Sequence, residues 1–260
     1  ASDVYKRQVK LKDGKCLKLK LPKNFPYRIS LVRLKLFGTD FYADVVYDFP
    51  INEIKPKDEY RAGIDIGLDE LFSIVSDNPE VRSFIISGRE IKAFNQWFNK
   101  EKVKIQSKID KAKNKKKDTK ELELKLKSLS AYRKRWIDTQ FHRISRKVVD
   151  YLYETGHKTI YVGKNVLESK NGINLGKKNN QNFVSIPFRR LIDMIKYKAN
   201  ELGMEVVEVD ESYTFKTSPF ADVIKVQETR NKVLCLGRRE RNFFKDEVLN
   251  KIFHADLVGA

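Results

Sequence analysis

At 260 residues the chain can form one large domain or two smaller ones, each with a core of its own. Lys and Arg number 53 against 35 Asp and Glu, a net charge of +18 with hydrophobic content of 41%, so a folded protein with a polyanionic partner is expected, nucleic acid before a membrane surface. No stretch of about 18 apolar residues occurs, which excludes a bilayer-spanning helix, and the distant Cys16 and Cys235 exclude a disulfide framework or a four-cysteine zinc site and suit a reducing compartment.

The opening ASDVYKRQ has no apolar core of a secretion signal and reads like a translated adapter scar, so it is set aside. Residues 9–49 read as antiparallel strands. LKLKL (17–21) and VRLKL (32–36) alternate apolar and basic side chains, and Phe41, Ala43, Val45, Tyr47 and Phe49 share one face. Their basic face, with Lys18, Lys20, Arg33 and Lys35, is either a solvated sheet surface or a small barrel's seat for a phosphate backbone. Polar NEIKPKDE (52–59) reads as a linker. Strands follow at 62–67, 71–77 and 82–86.

From Arg89 to Glu154 the period becomes helical. Ile91, Phe94, Phe98, Ile105 and Ile109 mark one helix, and Ile137, Phe141, Ile144, Val148 and Leu152 a return helix. The return helix also carries Arg133, Lys134, Arg135, Arg143, Arg146 and Lys147, a solvated face or a surface for nucleic-acid phosphates. HKTIYVGKN (157–165) reads as a buried strand, 168–182 as a Gly/Asn/Lys-rich loop, Pro187 to Leu202 as a helix with Gly203 past its end, and 204–212 as a strand ending on acids. Three meander strands, then helices, then β-α-β predict an α/β fold whose sheet is at least partly parallel.

Asp65 lies inside an apolar strand, where a charge needs a partner: a lysine, backbone donors or a metal. Glu211 and Asp256 lie near other element ends. Each acid alone has a structural explanation. Together on an α/β sheet they suit hard divalent cations and two-metal phosphodiester hydrolysis. No phosphate-binding glycine loop and no nucleophile elbow occurs, and His142, His157 and His254 lack metal spacing.

GIDIGLDELFSIVS, SGREIKAFNQWFNK, FHRISRKVVDYL, TIYVGKN, NFVSIPFRRLIDMIKYKANELGMEVVEVDESYTFKTS and FHADLVGA occur in this order. From about residue 55 onward the chain thereby resembles the transposon-encoded TnpB proteins, RNA-guided DNA endonucleases to which Fanzor proteins and type V CRISPR nucleases are similar. The resemblance implies an RNase H-like (RuvC) mixed sheet with a helical-hairpin insertion at 89–155, in a nuclease domain 59–260. It also implies a partial, wedge-like β-barrel segment at 1–58 that binds nucleic acid.

It implies Mg²⁺ or Mn²⁺ as cofactor, guide RNA and target DNA as partners, and a place in a prokaryotic cytoplasm or with nucleic acid in a eukaryotic or viral host. Asp65 matches the family's first acidic motif and Asp256 its third, with His254 and Val258 in place of two asparagines. Gly163 stands where most members have the second acid, and Glu211 in ESYTFK matches a subset with a relocated glutamate; Glu168 is the rival, and Lys216 is a candidate phosphate contact. The family's zinc ribbon is reduced to Cys235, so no zinc is expected, and the missing flanks imply a fragment or a decayed copy that binds nucleic acid without cutting it.

Overall fold

The computed structural model describes residues 8–10, 16–18, 28–37, 40–48, 58–163, 186–210, 213–230 and 232–260. Two antiparallel hairpins come first: β1 (Gln8–Lys10) with β2 (Cys16–Lys18), then β3 (Ile29–Phe37) with β4 (Asp40–Tyr47). Alternation gives Val32, Leu34, Leu36, Phe41, Ala43 and Val45 one face of the second hairpin and Arg33, Lys35 and Asp44 the other. Leu36 and Phe41, paired in register, are 64% and 82% exposed. Among the described residues the expected barrel segment consists of these two separate two-stranded sheets.

A meander follows: β5 (Tyr60–Ile66), β6 (Glu70–Ser76) and β7 (Phe84–Ser87). Two long helices, α1 (Arg89–Asn114) and α2 (Lys120–Glu154), form the expected hairpin. Then come β8 (His157–Gly163), α3 (Phe188–Glu201) and β9 (Glu205–Val209). They build a five-stranded mixed sheet in the order β7-β6-β5-β8-β9. The meander pairs are antiparallel, while β5–β8 and β8–β9 are parallel because helices carry the chain back between them.

Period-2 alternation splits β5 between two faces. Ala62, Ile64 and Ile66 join the main core with Phe72 and Ile74 of β6, Phe141 and Leu152 of α2, and Leu191, Ile192 and Ile195 of α3. Gly63 and Asp65 face the other way. The predicted helix is α3, whose buried apolar stripe is Phe188, Leu191, Ile192, Ile195 and Ala199; Pro187 stands just before its first residue, and Gly203 follows it at φ 70°.

The C-terminal part was not anticipated in detail. Asp222 caps α4 (Val223–Thr229) by accepting from the Lys225 backbone N–H at 3.0 Å. An antiparallel three-stranded sheet, β10 (Gly237–Glu240), β11 (Phe243–Asp246) and β12 (Lys251–His254), leads into the short α5 (Ala255–Gly259). The chain divides into two compact units: Ala1–Ile51 with Lys104–Tyr132, and Asn52–Val103 with Arg133–Ala260. The five-stranded sheet, α3 and the C-terminal sheet all belong to the second. No helix among the described residues is long and apolar enough to cross a membrane.

Candidate metal centre

The register of the sheet brings the carboxyl ends of β5, β8 and β9 together, since Ile64 pairs with Val162 and Gly163 with Val209. Asp65 lies one residue beyond the last β5–β8 pair, opposite Ser73 of β6. This is the edge at which open α/β sheets carry their sites. On the face that Gly63 and Asp65 share, α5 packs against β5 and β6. Glycine at 63 permits that packing, because a Cβ there would lie 2.0 Å from the Ala260 carbonyl oxygen.

The first turn of α5 carries Asp256. Asp65 is only 5% exposed, and its pKa is pushed up to about 7, first by burial and then by the charge of Asp256; a hydrogen bond at the Ile66 backbone and the charge of Arg239 pull the other way. Asp256 accepts a hydrogen bond from Arg239 Nη2 at 2.7 Å. Two carboxylates in mutual repulsion, one of them buried, form an all-oxygen donor set that a hard divalent cation neutralises. The residues therefore fit Mg²⁺ or Mn²⁺.

Glu211 and its rival Glu168 lie outside the described residues. The chain is described up to Asp210, directly after β9, and again from Tyr213, which has φ 70° and opens a 3-10 turn at Thr214–Lys216. That turn packs against α5, the helix of Asp256. Two of the three expected acids are described, and among the described residues no group of three His, Cys, Asp or Glu gathers as a metal site. Gly163 ends β8 without an acid.

Of the histidines, His254 ends β12 two residues before Asp256, its Nδ1 buried without a hydrogen-bond partner, and the other two stand apart. The Nδ1 of His142 is 3.4 Å from the Tyr197 hydroxyl, and His157 is buried at the opposite end of the sheet. Cys235 is a buried free thiol.

The expected nucleic-acid contacts divide by what already holds them. Arg33 is exposed, and Lys35 pairs with Asp44 across the hairpin. Lys20 and the side chain of Lys18 lie outside the described residues. Arg133 is turned inward: Nε and Nη2 donate to Asn95 Oδ1 at 3.0 and 2.8 Å, and the guanidinium lies 4.9 Å from the centre of the Phe98 ring. Lys134 pairs with Asp138 at 2.9 Å, and Arg146 with Glu201 at 2.7 Å. Arg135, Arg143, Lys147 and Lys216 are exposed.

Two residues escaped the sequence reading. Arg239 sits in the charged run GRRERN, where nothing marks one arginine from the next. Lys198 is buried within the apolar stripe of α3, donating to the His142 carbonyl at 2.9 Å and to Ser145 Oγ at 2.7 Å.

Comparison with known proteins agrees with this architecture. Residues 44–168 match the OrfB_IS605 family, described as "Probable transposase", and residues 188–260 match the "Cas12f1-like, TNB domain" family. A TnpB-like protein, ORF457 of Acidianus two-tailed virus, is 30% identical over 211 residues, covering 79% of this chain and 41% of the relative. Two solved structures share the fold at 16% identity. A CRISPR-Cas12f ternary complex matches with a TM-score of 0.56 over 98% of this chain and 50% of that one. A Cas12f1-sgRNA-target DNA complex matches with a TM-score of 0.50 over 88% and 54%. The chain thus spans about half the length of these relatives, or somewhat less. It is a TnpB-type protein.

Proposed function

We propose that this chain is the nuclease part of an RNA-guided DNA endonuclease, hydrolysing DNA phosphodiester bonds at an acid-held divalent metal centre. The observation that carries the reading is Asp65: buried, raised to about 7, and beside Asp256 at the carboxyl edge of a mixed sheet ordered β7-β6-β5-β8-β9. That order, with its antiparallel meander and two parallel additions, supports an RNase H-like (RuvC) domain over residues 59–260, with α1 and α2 as its helical insertion and 1–58 as a nucleic-acid-binding segment. Asp65, Asp256 and Glu211 are the residues that hold the metal. When bound, Mg²⁺ or Mn²⁺ supplies Lewis acidity at the scissile phosphate and lowers the pKa of the attacking water. The protein's part is to fix the carboxylate oxygens and to exclude bulk water around Asp65.

Guide RNA and target DNA are the partners this reading assigns, supported by the neighbouring Cas12f complex with sgRNA and target DNA and by the charge of +18. Base pairing then reads the sequence while exposed Arg33, Arg143, Lys147 and Lys216 meet the backbone. The protein accordingly resides with the nucleic acid of its host. Nicking of a labelled strand with and without Mg²⁺ tests the reading. Cleavage lost in Asp65→Asn, Asp256→Asn and Glu211→Gln but kept in Glu168→Gln supports it. Binding without metal-dependent cleavage would replace it with a non-catalytic nucleic-acid-binding protein.

A further inference from the structure

Arg239 reaches the acid pair from β10 and is held at two points. Nη2 donates to Asp256 Oδ1 at 2.7 Å, and Nε donates to the Arg241 carbonyl at 3.0 Å. Glu240 pairs with Phe243, so Arg241 and Asn242 form a two-residue hairpin loop. Arg241 sits at φ 56° in that loop, a conformation that favours glycine, and the loop presents its carbonyl to Arg239. Gly237 supports the same strand from below: a Cβ there would lie 2.2 Å from the Phe244 ring, which packs across it. Among the described residues Arg239 is the cation in contact with Asp256, and its charge also acts on Asp65.

We infer that Arg239 is a displaceable counter-ion of the acid pair, neutralising Asp256 in the metal-free protein and ceding that oxygen when a divalent cation binds. The inference rests on the metal-centre reading above. A guanidinium hydrogen-bonded to a carboxylate and a divalent cation bound to the same group leave two positive centres about 5 Å apart, and in a water-like dielectric that repulsion weakens metal binding by about tenfold. When Asp256 is released the Arg241 carbonyl keeps Nε paired, and because the Arg239 side chain is 33% exposed, water takes the Nη2 donor, so the exchange leaves no donor buried without a partner. Arg239 is thus a positioning residue that sets how firmly the centre holds its metal.

Mn²⁺ serves as the probe, with free Mn²⁺ followed by electron paramagnetic resonance in the wild type, Arg239→Gln, Arg239→Lys and Asp256→Asn, alongside thermal midpoints in chelator and in Mn²⁺. Arg239→Gln should bind Mn²⁺ about tenfold more tightly, melt lower than the wild type in chelator, and gain more on Mn²⁺ addition. Arg239→Lys should behave as the wild type. Unchanged or weaker Mn²⁺ binding in Arg239→Gln, with binding lost in Asp256→Asn, would overturn the counter-ion role while leaving the centre in place. Wild-type affinity in Asp256→Asn would show that the centre itself is misassigned, and the counter-ion role would go with it.

Discussion

The two ends of β5 treat buried polarity in opposite ways. At its amino end lies His157, fully buried, with every ring nitrogen in use. Nε2 meets Ser76 Oγ at 2.6 Å, and Nδ1 meets the Leu152 carbonyl and Thr155 Oγ1, both at 3.0 Å. Ser76 Oγ in turn accepts from the Asn78 backbone at 2.9 Å, and Asn78 Nδ2 donates to the Thr155 carbonyl at 3.0 Å. Burial holds the imidazole below its ordinary pKa, so it stays neutral and ties β6, β8 and the end of α2 together. At the carboxyl end Asp65 is equally dry, but it faces a second acid and a Ser73 hydroxyl that has no hydrogen-bond partner. A buried polar network that satisfies itself makes structure. One that repels itself is costly to the fold and marks a candidate binding site.

The largest effect that sharpens this contrast is expected in Asp65→Asn. Metal-dependent nicking should fall to background while the metal-free fold gains stability. Asp65 has a folded pKa of about 7 against an ordinary 3.8, so between those values the folded state binds more protons than the unfolded one. Metal-free stability therefore falls as pH rises through that window, by a few kcal/mol, and the asparagine lacks this slope. Denaturant midpoints in chelator at pH 5 and pH 7.5 measure it. A wild-type-minus-variant difference that is the same at both pH values would break the contrast.

Two substitutions of intermediate size separate the ends. Ser76→Ala leaves His157 Nε2 buried without its partner and should cost about 1–3 kcal/mol with Mn²⁺ affinity unchanged. Gly63→Ala sets a methyl group against the Ala260 carbonyl and should cost about 1–3 kcal/mol. Because α5 must shift to make room, its Mn²⁺ affinity should fall as well. Equal Mn²⁺ loss in both variants would show that the two ends are not independent.

Lys198 gives a smaller effect of opposite sign to Asp65. Burial lowers its pKa from 10.5 to about 8, so between these values the unfolded chain binds the extra proton and stability rises with pH. In Lys198→Met the midpoint should lack the rise that the wild type shows from pH 8 to pH 10.5. The methionine should be tolerated at neutral pH, since replacing a buried charge by an apolar group of similar length is often neutral.

What the sequence made legible follows the strength of its periodicities. The meander, β8, α3 and β9 were readable because apolar residues recur at two or at three and four, and Asp65 because it interrupts such a run. The three-stranded C-terminal sheet was not, because its burial runs against residue type: Asp246 is buried while Phe243 and Ile252 are exposed. Arg239 was invisible for the same reason, since its role depends on β10, β11 and β12 folding back to bring Asp256 beside it 17 residues later. The basic face of α2 was legible as charge but not as orientation. Nothing in the spacing distinguishes an arginine that reaches Asn95 from one that reaches solvent.

That last distinction yields the smallest expected effect. Arg133, with two hydrogen bonds to Asn95 and its guanidinium over Phe98, is half-buried, and burial lowers its pKa. Arg143 and Lys147, two turns and more along the same helix, are exposed. If a nucleic-acid backbone lies along α2, only a cation free to release counterions contributes to the salt dependence, about 0.9 in the slope of log K against log salt per phosphate neutralised on a duplex. Arg143→Gln and Lys147→Gln should each lower the slope by about that amount and leave the thermal midpoint in place. Arg133→Gln should leave the slope unchanged and lower stability by about 1–2 kcal/mol, because Asn95, itself buried, loses a charged donor. Binding isotherms of a labelled RNA–DNA heteroduplex between low and moderate salt give the slopes. A slope change in Arg133→Gln equal to that in Arg143→Gln would mean that the Asn95 contact opens when nucleic acid binds, and the division between structural and functional cations on α2 would not hold.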